Sequence, residues 1–205
     1  MAKTLIVAAT EAEIEGLRST LADIAECEFL VTGIGMVNTT FTLTKYLNGI
    51  EPPKKIINVG IAGAFNPEIE IGQAVQVVKD RFSELGAEDS GSFLKADEMG
   101  LMKKQDVEFE SSNKFSELIP VSGITVNTIH GNERSISQAR QLYNPDVESM
   151  EGAAVAFVAE QFGCDWIQIR CISNYVEPRN KDNWNIPLAL ENLNTTVTQL
   201  IKNSF

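Results

Sequence analysis

Histidine is nearly absent from this 205-residue chain: His130 is the single one. One imidazole cannot build a His-rich zinc site or a metalloprotease helix, so no metal is expected. Cysteine is scarce too. Cys27, Cys164 and Cys171 lie far apart or inside apolar runs, with no CxxC pair, which argues against a disulfide framework and fits reduced thiols. Positive charge is thin: 17 Lys and Arg face 28 Asp and Glu, for a net charge of −11. The longest cationic runs are the pairs Lys54-Lys55 and Lys103-Lys104. Without a basic stripe the chain is a poor match for a phosphate backbone, so nucleic acid is not an expected partner. Long apolar runs are also missing. None approaches the roughly 20 residues that span a bilayer, so no membrane partner is expected and the chain reads as soluble and cytoplasmic.

What is present is ordinary for a globular protein, 43% hydrophobic and 22% charged. The length supports one good core and a single domain over 1–205. Runs of strand length recur at "TLIVAA", "EFLVTG", "KKIINVG", "QAVQVVKDRF", "SGITVNTI" and "WIQIRCI". Helical spacing recurs between them. Ile14, Leu17 and Leu21 share a face, Val37, Phe41, Leu43 and Leu47 mark a second helix, and Ala154, Val155, Val158 and Phe162 a third. A short helix is expected over "SISQARQLY" and a last one from about Pro187. Between Ser83 and Pro120 the pattern dissolves into an irregular excursion that still carries Phe93, Leu101, Met102, Phe109 and Phe115 to bury. Alternating strands and helices predict an α/β fold with a central mixed or parallel β-sheet flanked by helices.

In such sheets ligands sit at the carboxyl ends of the strands. Three polar residues are expected there: Glu13 in the first turns of helix one, Glu151 at the start of a helix, and Asn174 where the strand "WIQIRCI" empties into a loop. Each has a structural explanation alone, a solvated surface position, a helix cap or a turn. Their convergence points to a site. "NVGIAGAF" adds a strand end with almost no side chains at Gly60, Ala62, Gly63 and Ala64, where a planar or sugar ligand can approach the backbone. Gly33-Ile34-Gly35 lacks the third glycine of a dinucleotide fingerprint, since position 38 is Asn, and reads as a tight strand-to-helix turn.

The segments "AATEAEIEGL", "GIGMVN", "IINVGIAGAF", "VESMEGAAVAF" and "QIRCISN" follow one another in an order that resembles the purine nucleoside phosphorylase and nucleosidase superfamily. "SELGAEDSGSF" and "ISNYVEPRNKDNWNIPLA" most resemble its futalosine hydrolase branch, which releases hypoxanthine from a 5′-substituted nucleoside in menaquinone biosynthesis. The resemblance implies a nucleoside phosphorylase-like fold, a purine nucleoside substrate, no cofactor, and a homodimer or larger homo-oligomer. It implies that Glu13 orients or deprotonates the attacking water and that Glu151, preceded by Met150, holds the ribose hydroxyls. Ala62, Gly63 and Asn132 would contact substrate. Asn174 stands where adenine-cleaving nucleosidases carry an aspartate. An amide donates to the oxygen of a 6-oxopurine and accepts from a ring N–H, so hypoxanthine or guanine is expected over adenine. Asn58 and Ile61 stand where phosphorylases hold phosphate with an Arg and a Ser or Thr, which favours water as nucleophile. Arg179, or else Arg134, is the expected partner of an acid at the 5′ end. His130 would shape the base pocket or serve structurally, and Trp184 would wall an aromatic substrate or pin the last helix. A phosphate-dependent phosphorylase, an adenine thioether nucleosidase and a non-catalytic nucleoside-binding module are the competing readings.

Overall fold

The computed structural model describes residues 4–22 and 27–204. Strand β1 (Thr4–Ala8) is buried along its whole length and ends at Thr10, the N-cap of α1 (Glu11–Thr20). Glu13 reaches back so that its Oε2 accepts from the Thr10 main-chain N–H at 2.9 Å, the reciprocal half of a capping box. The expected apolar face is the buried one: Ile14, Leu17 and Leu21 are inside. Strand β2 (Cys27–Val31) pairs parallel to β1 and leads through Gly33 and Gly35 into α2 (Met36–Leu47). Both glycines have φ +87°, a left-handed conformation that a side chain would strain.

Helix α2 departs from expectation. It buries Thr39, Leu43 and Leu47, whereas Val37 and Phe41 are 79% and 68% exposed. At 100° per residue, positions 37 and 41 lie nearly opposite 39 and 43, so the helix carries two apolar stripes where one was read. The chain itself covers only one of them.

Strand β3 (Lys55–Ala64) also differs, running on through Gly60–Ala64, which the sequence suggests is a loop. Its partners explain this. The last strand, β10 (Asp165–Tyr175), pairs with it from Lys55 to Ala64, and β9 (Val147–Ser149) pairs with Gly63 and Ala64. Strand β4 (Ala74–Arg81) is followed by the excursion, which contains the hairpin β5 (Gly86–Asp89) and β6 (Ser92–Lys95) and a short β7 (Glu108–Glu110) on the edge of β4. Phe109 is buried there, but Leu101 is exposed. Strand β8 (Ile119–Thr125), α3 (Glu133–Tyr143), β9, α4 (Gly152–Gln161), β10 and α5 (Ile186–Ser204) complete the chain.

The sheet is mixed. Strand β10 pairs parallel with β3 and antiparallel with β4, and the path continues through β8 and β9 back to β3, closing a ring of five strands. Strands β1 and β2 extend it on one side. Alternate residues of β1 face two cores: Ile6 and Ala8 pack with α1 and α5, Leu5 and Val7 with α2 and α4. None of the described helices is long and apolar enough to cross a membrane.

Candidate active site

The carboxyl ends of β1, β3 and β10 and the N-termini of α1 and α4 surround a cavity of about 370 Å³. Glu13, Glu151 and Asn174 line it together with Ala62, Gly63 and Met150. The fold therefore brings Glu13 together with two residues more than a hundred positions later in the sequence.

Glu13 is almost fully buried, and its two oxygens are divided between neighbours. Oε2 accepts from the Thr10 hydroxyl as well as its N–H, and Oε1 accepts from the Ile61 N–H at 3.2 Å. Gly60 makes this possible. A Cβ there would sit 2.8 Å from Glu13 Oε1 and 2.9 Å from an Nη of Arg170, so the glycine is needed for space, not for its φ. Glu151 is the N-cap of α4, and its Oε1 accepts from the Gly35 N–H at 2.8 Å, tying the second strand-to-helix turn to the site. Burial pushes its carboxyl above the usual range; Arg170 and the Gly35 N–H pull it down, and Glu13 pushes it up again.

Arg170 is the residue that sequence reasoning missed. It lies on β10 opposite Gly60, is 1% exposed, and donates from Nη1 to Asn58 Oδ1 at 3.2 Å. Burial lowers its pKa, opposed by Glu151, Glu13 and Asp80. Its Nε and Nη2 find no hydrogen-bond partner among the described residues. A buried guanidinium with two unpartnered nitrogens, facing the charges of Glu151, Glu13 and Asp80, has donors left for a water. The signal was visible: a lone arginine in an otherwise apolar strand needs a counter-charge. Asn58 and Ile61 still stand in place of a phosphate-gripping Arg and Ser or Thr, and a cation unforeseen from the sequence is buried beside Asn58. Asn58 holds that cation in place, but the cation is surrounded by carboxylates.

Asn174 sits on a bulge. The β10–β3 register slips between Ile172 and Asn174, leaving Ser173 unpaired and turning the asparagine toward the cavity. Its Oδ1 accepts from the Ser173 hydroxyl at 2.8 Å and its Nδ2 donates to the Tyr175 carbonyl at 2.9 Å. One N–H and one lone pair remain for a ligand.

The other candidates divide. Met150 packs against the cluster of Phe65, Ile124 and Val126 while lining the cavity. Trp184, Ile186 and Leu190 form an apolar wall, so Trp184 faces the cavity as well as preceding α5. Arg179 is exposed and stacks over Trp184, with 5.1 Å from its guanidinium carbon to the ring centroid. Asn132 is not brought to the cavity. Its Oδ1 accepts from the Ser135 N–H at 3.0 Å, capping α3, and that N-cap duty explains its presence. Arg134 is exposed on the same helix and does not line the cavity either. His130 does line it, paired with Glu148.

Beyond the cavity, the exposed stripe of α2 opens into a second, wholly different hollow. This groove has about 800 Å³ and is lined by Val37, Phe41, Phe82, Leu85, Met102 and Phe157 among others. No cluster of His, Cys, Asp and Glu among the described residues has the geometry to hold a metal.

The family model described as the Phosphorylase superfamily matches residues 29–202. The chain belongs to that superfamily. Among its relatives, the futalosine hydrolase of Acidothermus cellulolyticus is 28% identical over 214 residues, covering 93% of this chain and 87% of its own. The futalosine hydrolase of Streptomyces coelicolor is 27% identical, and the match spans 73% of this chain and 66% of that protein. A 5′-methylthioadenosine/S-adenosylhomocysteine nucleosidase of Marinomonas is 24% identical, covering 96% and 97%. In structure, the fold resembles the futalosine hydrolase of Helicobacter pylori, with a TM-score of 0.81 at 15% identity and 98% of each chain covered. Phosphorylase-superfamily membership accounts for the closed mixed sheet and for the position of the cavity at its carboxyl end.

Proposed function

We propose that this protein is an N-glycosidase that uses water to release the base from a 6-oxopurine nucleoside, with futalosine as the substrate and hypoxanthine as the product. The observation that carries the reading is that Glu13, Glu151 and Asn174 line one cavity while Glu13 and Arg170 meet over Gly60. Breaking an N-glycosidic bond puts positive charge on the sugar and negative charge on the departing base. Glu151 is suited to accept from the ribose hydroxyls with the oxygen that Gly35 leaves free. Glu13 is suited to take a proton from a water that Arg170 orients, and both carboxylates favour the cationic sugar. The Asn174 amide matches the acceptor oxygen and donor N–H of a 6-oxopurine.

The ring of carboxylates around Arg170 also bears on the nucleophile. A phosphate dianion entering there would meet Glu13 and Glu151 as well as the cation, whereas water meets no such repulsion. Arg179, held on Trp184 at the cavity wall, is the candidate partner for an acid carried at the 5′ end. The exposed stripe of α2 begins beside Ile34, itself a cavity-lining residue, and supports a homodimer in which a second copy covers the groove.

The second reading, an adenine thioether nucleosidase, is favoured by the name of the Marinomonas relative and opposed by Asn174. Incubation with futalosine, inosine or methylthioadenosine, with and without phosphate, followed by chromatography of free base, separates the readings. Hypoxanthine from futalosine without phosphate is expected. Strict phosphate dependence would make the protein a phosphorylase, adenine release would make it the thioether nucleosidase, and no base from any substrate would leave a binding module.

A further inference from the structure

Resting on the N-glycosidase reading, one step has no owner. The leaving purine needs a proton, and Asn174, a neutral amide, cannot transfer one. A second pair of residues in the same cavity can. Glu148 on β9 is 4% exposed and gives both of its oxygens to His130: Oε1 accepts from the main-chain N–H at 3.0 Å and Oε2 meets Nδ1 at 2.5 Å. The imidazole is thereby fixed in orientation. With Nδ1 engaged, its chemistry toward a ligand falls to Nε2, which bonds to no other described residue.

Strand register aligns this pair with Asn174. Gly63 on β3 stands opposite Glu148 on one side and Asn174 on the other. A Cβ on Gly63 would lie 3.0 Å from Val176 Cγ2, 3.2 Å from Asn174 Nδ2 and 3.6 Å from the Glu148 Cγ, so the glycine is what lets the amide and the carboxylate stem close in on one face of the sheet. The amide and the carboxylate–imidazole pair thus approach the same bare stretch of backbone and line one cavity, where a base can meet both. The Phe65 ring packs edge-on against the imidazole at 5.9 Å and walls its far side. Charged groups near the ring are Glu148 in direct contact, Glu13 and Glu151 around the same cavity, Arg170 buried behind those two carboxylates, and Arg179, whose main-chain N–H donates to the Gly131 carbonyl.

We propose that His130 is the acid of the reaction and that Glu148 is the residue that positions it. As the C1′–N9 bond breaks, its electron pair goes to the purine, and a proton from His130 Nε2 goes to a ring nitrogen or O6 of the base, which leaves neutral. The water oxygen bonds to C1′ and its proton goes to Glu13. Solvent exchange returns a proton to His130 after release. With the Glu148 carboxylate holding Nδ1, Nε2 is the ring nitrogen left to carry a proton toward the base.

The test compares leaving groups. In His130→Gln the rate of hypoxanthine release is expected to fall at least ~100-fold, within the range for loss of a general acid. Hydrolysis of 4-nitrophenyl β-D-riboside, whose phenolate departs without a proton, is expected to change less than about 3-fold, because the lost contribution applies only to the proton-requiring step. In addition, the wild-type rate of base release falls on the alkaline side as the donor loses its proton, and that limb is absent in the variant. Glu148→Gln is expected to slow base release by about 10-fold, the scale of a misdirected positioning contact, while sparing the nitrophenyl substrate. Equal losses on both substrates would make the pair structural and overturn the proposal, as would an unchanged rate in His130→Gln. Where the nitrophenyl riboside is turned over too slowly to compare, survival of the alkaline limb in His130→Gln overturns it. Failure of the wild-type protein to release base from any nucleoside would instead sink the N-glycosidase reading beneath it.

Discussion

Two hollows among the described residues are built on opposite principles. The cavity at the strand ends is about 370 Å³ and gathers Glu13, Glu151, Glu148, His130 and Asn174 around glycine-floored backbone. The groove beside α2 is about 800 Å³ and is walled by Phe41, Val37, Phe82, Leu85, Met102 and Phe157. In the first, each carboxylate is held by designated donors: Thr10 and Ile61 for Glu13, Gly35 for Glu151, His130 for Glu148. In the second, Val37 and Phe41 stand largely in solvent, above Phe82 and Phe157, which pack edge-on against each other and Phe109. Size alone would choose the groove as the site of chemistry. Directed polar groups choose the cavity, because transition-state charge is stabilised by preorganised dipoles and ions and not by apolar area.

The sharpest way to break the contrast is to disarm the cavity. Glu13→Gln keeps the shape and the acceptor toward Ile61 but removes the base, and base release is expected to fall on the order of 1,000-fold while KM changes little. Steady-state kinetics checks this. Gly60→Ala places a methyl where Glu13 and Arg170 approach, 2.8 and 2.9 Å away, and must push them apart. A displacement of that kind is expected to reduce kcat by about 100-fold, and the same assay reads it.

Asn174→Asp changes the base and not the framework. Its carboxyl can protonate an adenine ring but repels the O6 of hypoxanthine, so the ratio of adenine to hypoxanthine release is expected to rise by about 10-fold or more. Parallel assays on the two nucleosides measure the ratio. At the groove, Phe41→Asp introduces a charge on the exposed stripe. The expected outcome is a monomer by light scattering, with folding intact because the residue is 68% exposed within its own chain.

The smallest effect concerns the floor between the two regions. Asp80 is buried beneath the N-terminus of α4; its oxygens accept from the Thr125 hydroxyl at 3.1 Å, and that hydroxyl in turn accepts from the Ala153 N–H. Burial pushes its carboxyl up to about 6, against Gln168, Arg170, Thr125 and the Arg81 N–H. Between the unfolded value of 3.8 and about 6, the folded state keeps a proton that the unfolded chain has lost. The group's stabilising contribution is therefore complete below the unfolded value and is lost as pH rises through about 6. Asp80→Asn removes that slope. Relative to the wild type it is expected to gain on the order of 2 kcal/mol between pH 4 and pH 7.5, read from urea midpoints.

The two hollows were also unequally legible in the sequence. Glu13, Glu151 and Asn174 were readable because each follows a strand or opens a helix, and the sheet carries such positions to one end. Met150, Ala62 and Gly63 came with them. Arg170 and Glu148 were only half legible, since a charged residue within a buried strand shows that a counter-charge is needed but not which partner the closed sheet brings to it. The register of β3 with both β9 and β10 does that, and register is a property of strands distant in sequence. Asn132 misled because a residue just after a strand can serve a ligand or the next helix, and here the helix claims it. The groove was misread because Val37 and Phe41 were counted with Leu43 and Leu47 as one face. Periodicity marks apolar positions without saying whether the cover is the same chain or another.

The most direct measurement is of free base released by the purified protein from futalosine in buffer free of phosphate, alongside Glu13→Gln. The account predicts hypoxanthine from the wild type without phosphate, and on the order of 1,000-fold less from the variant. Release that begins only when phosphate is added, or a Glu13→Gln variant as fast as the wild type, would contradict it.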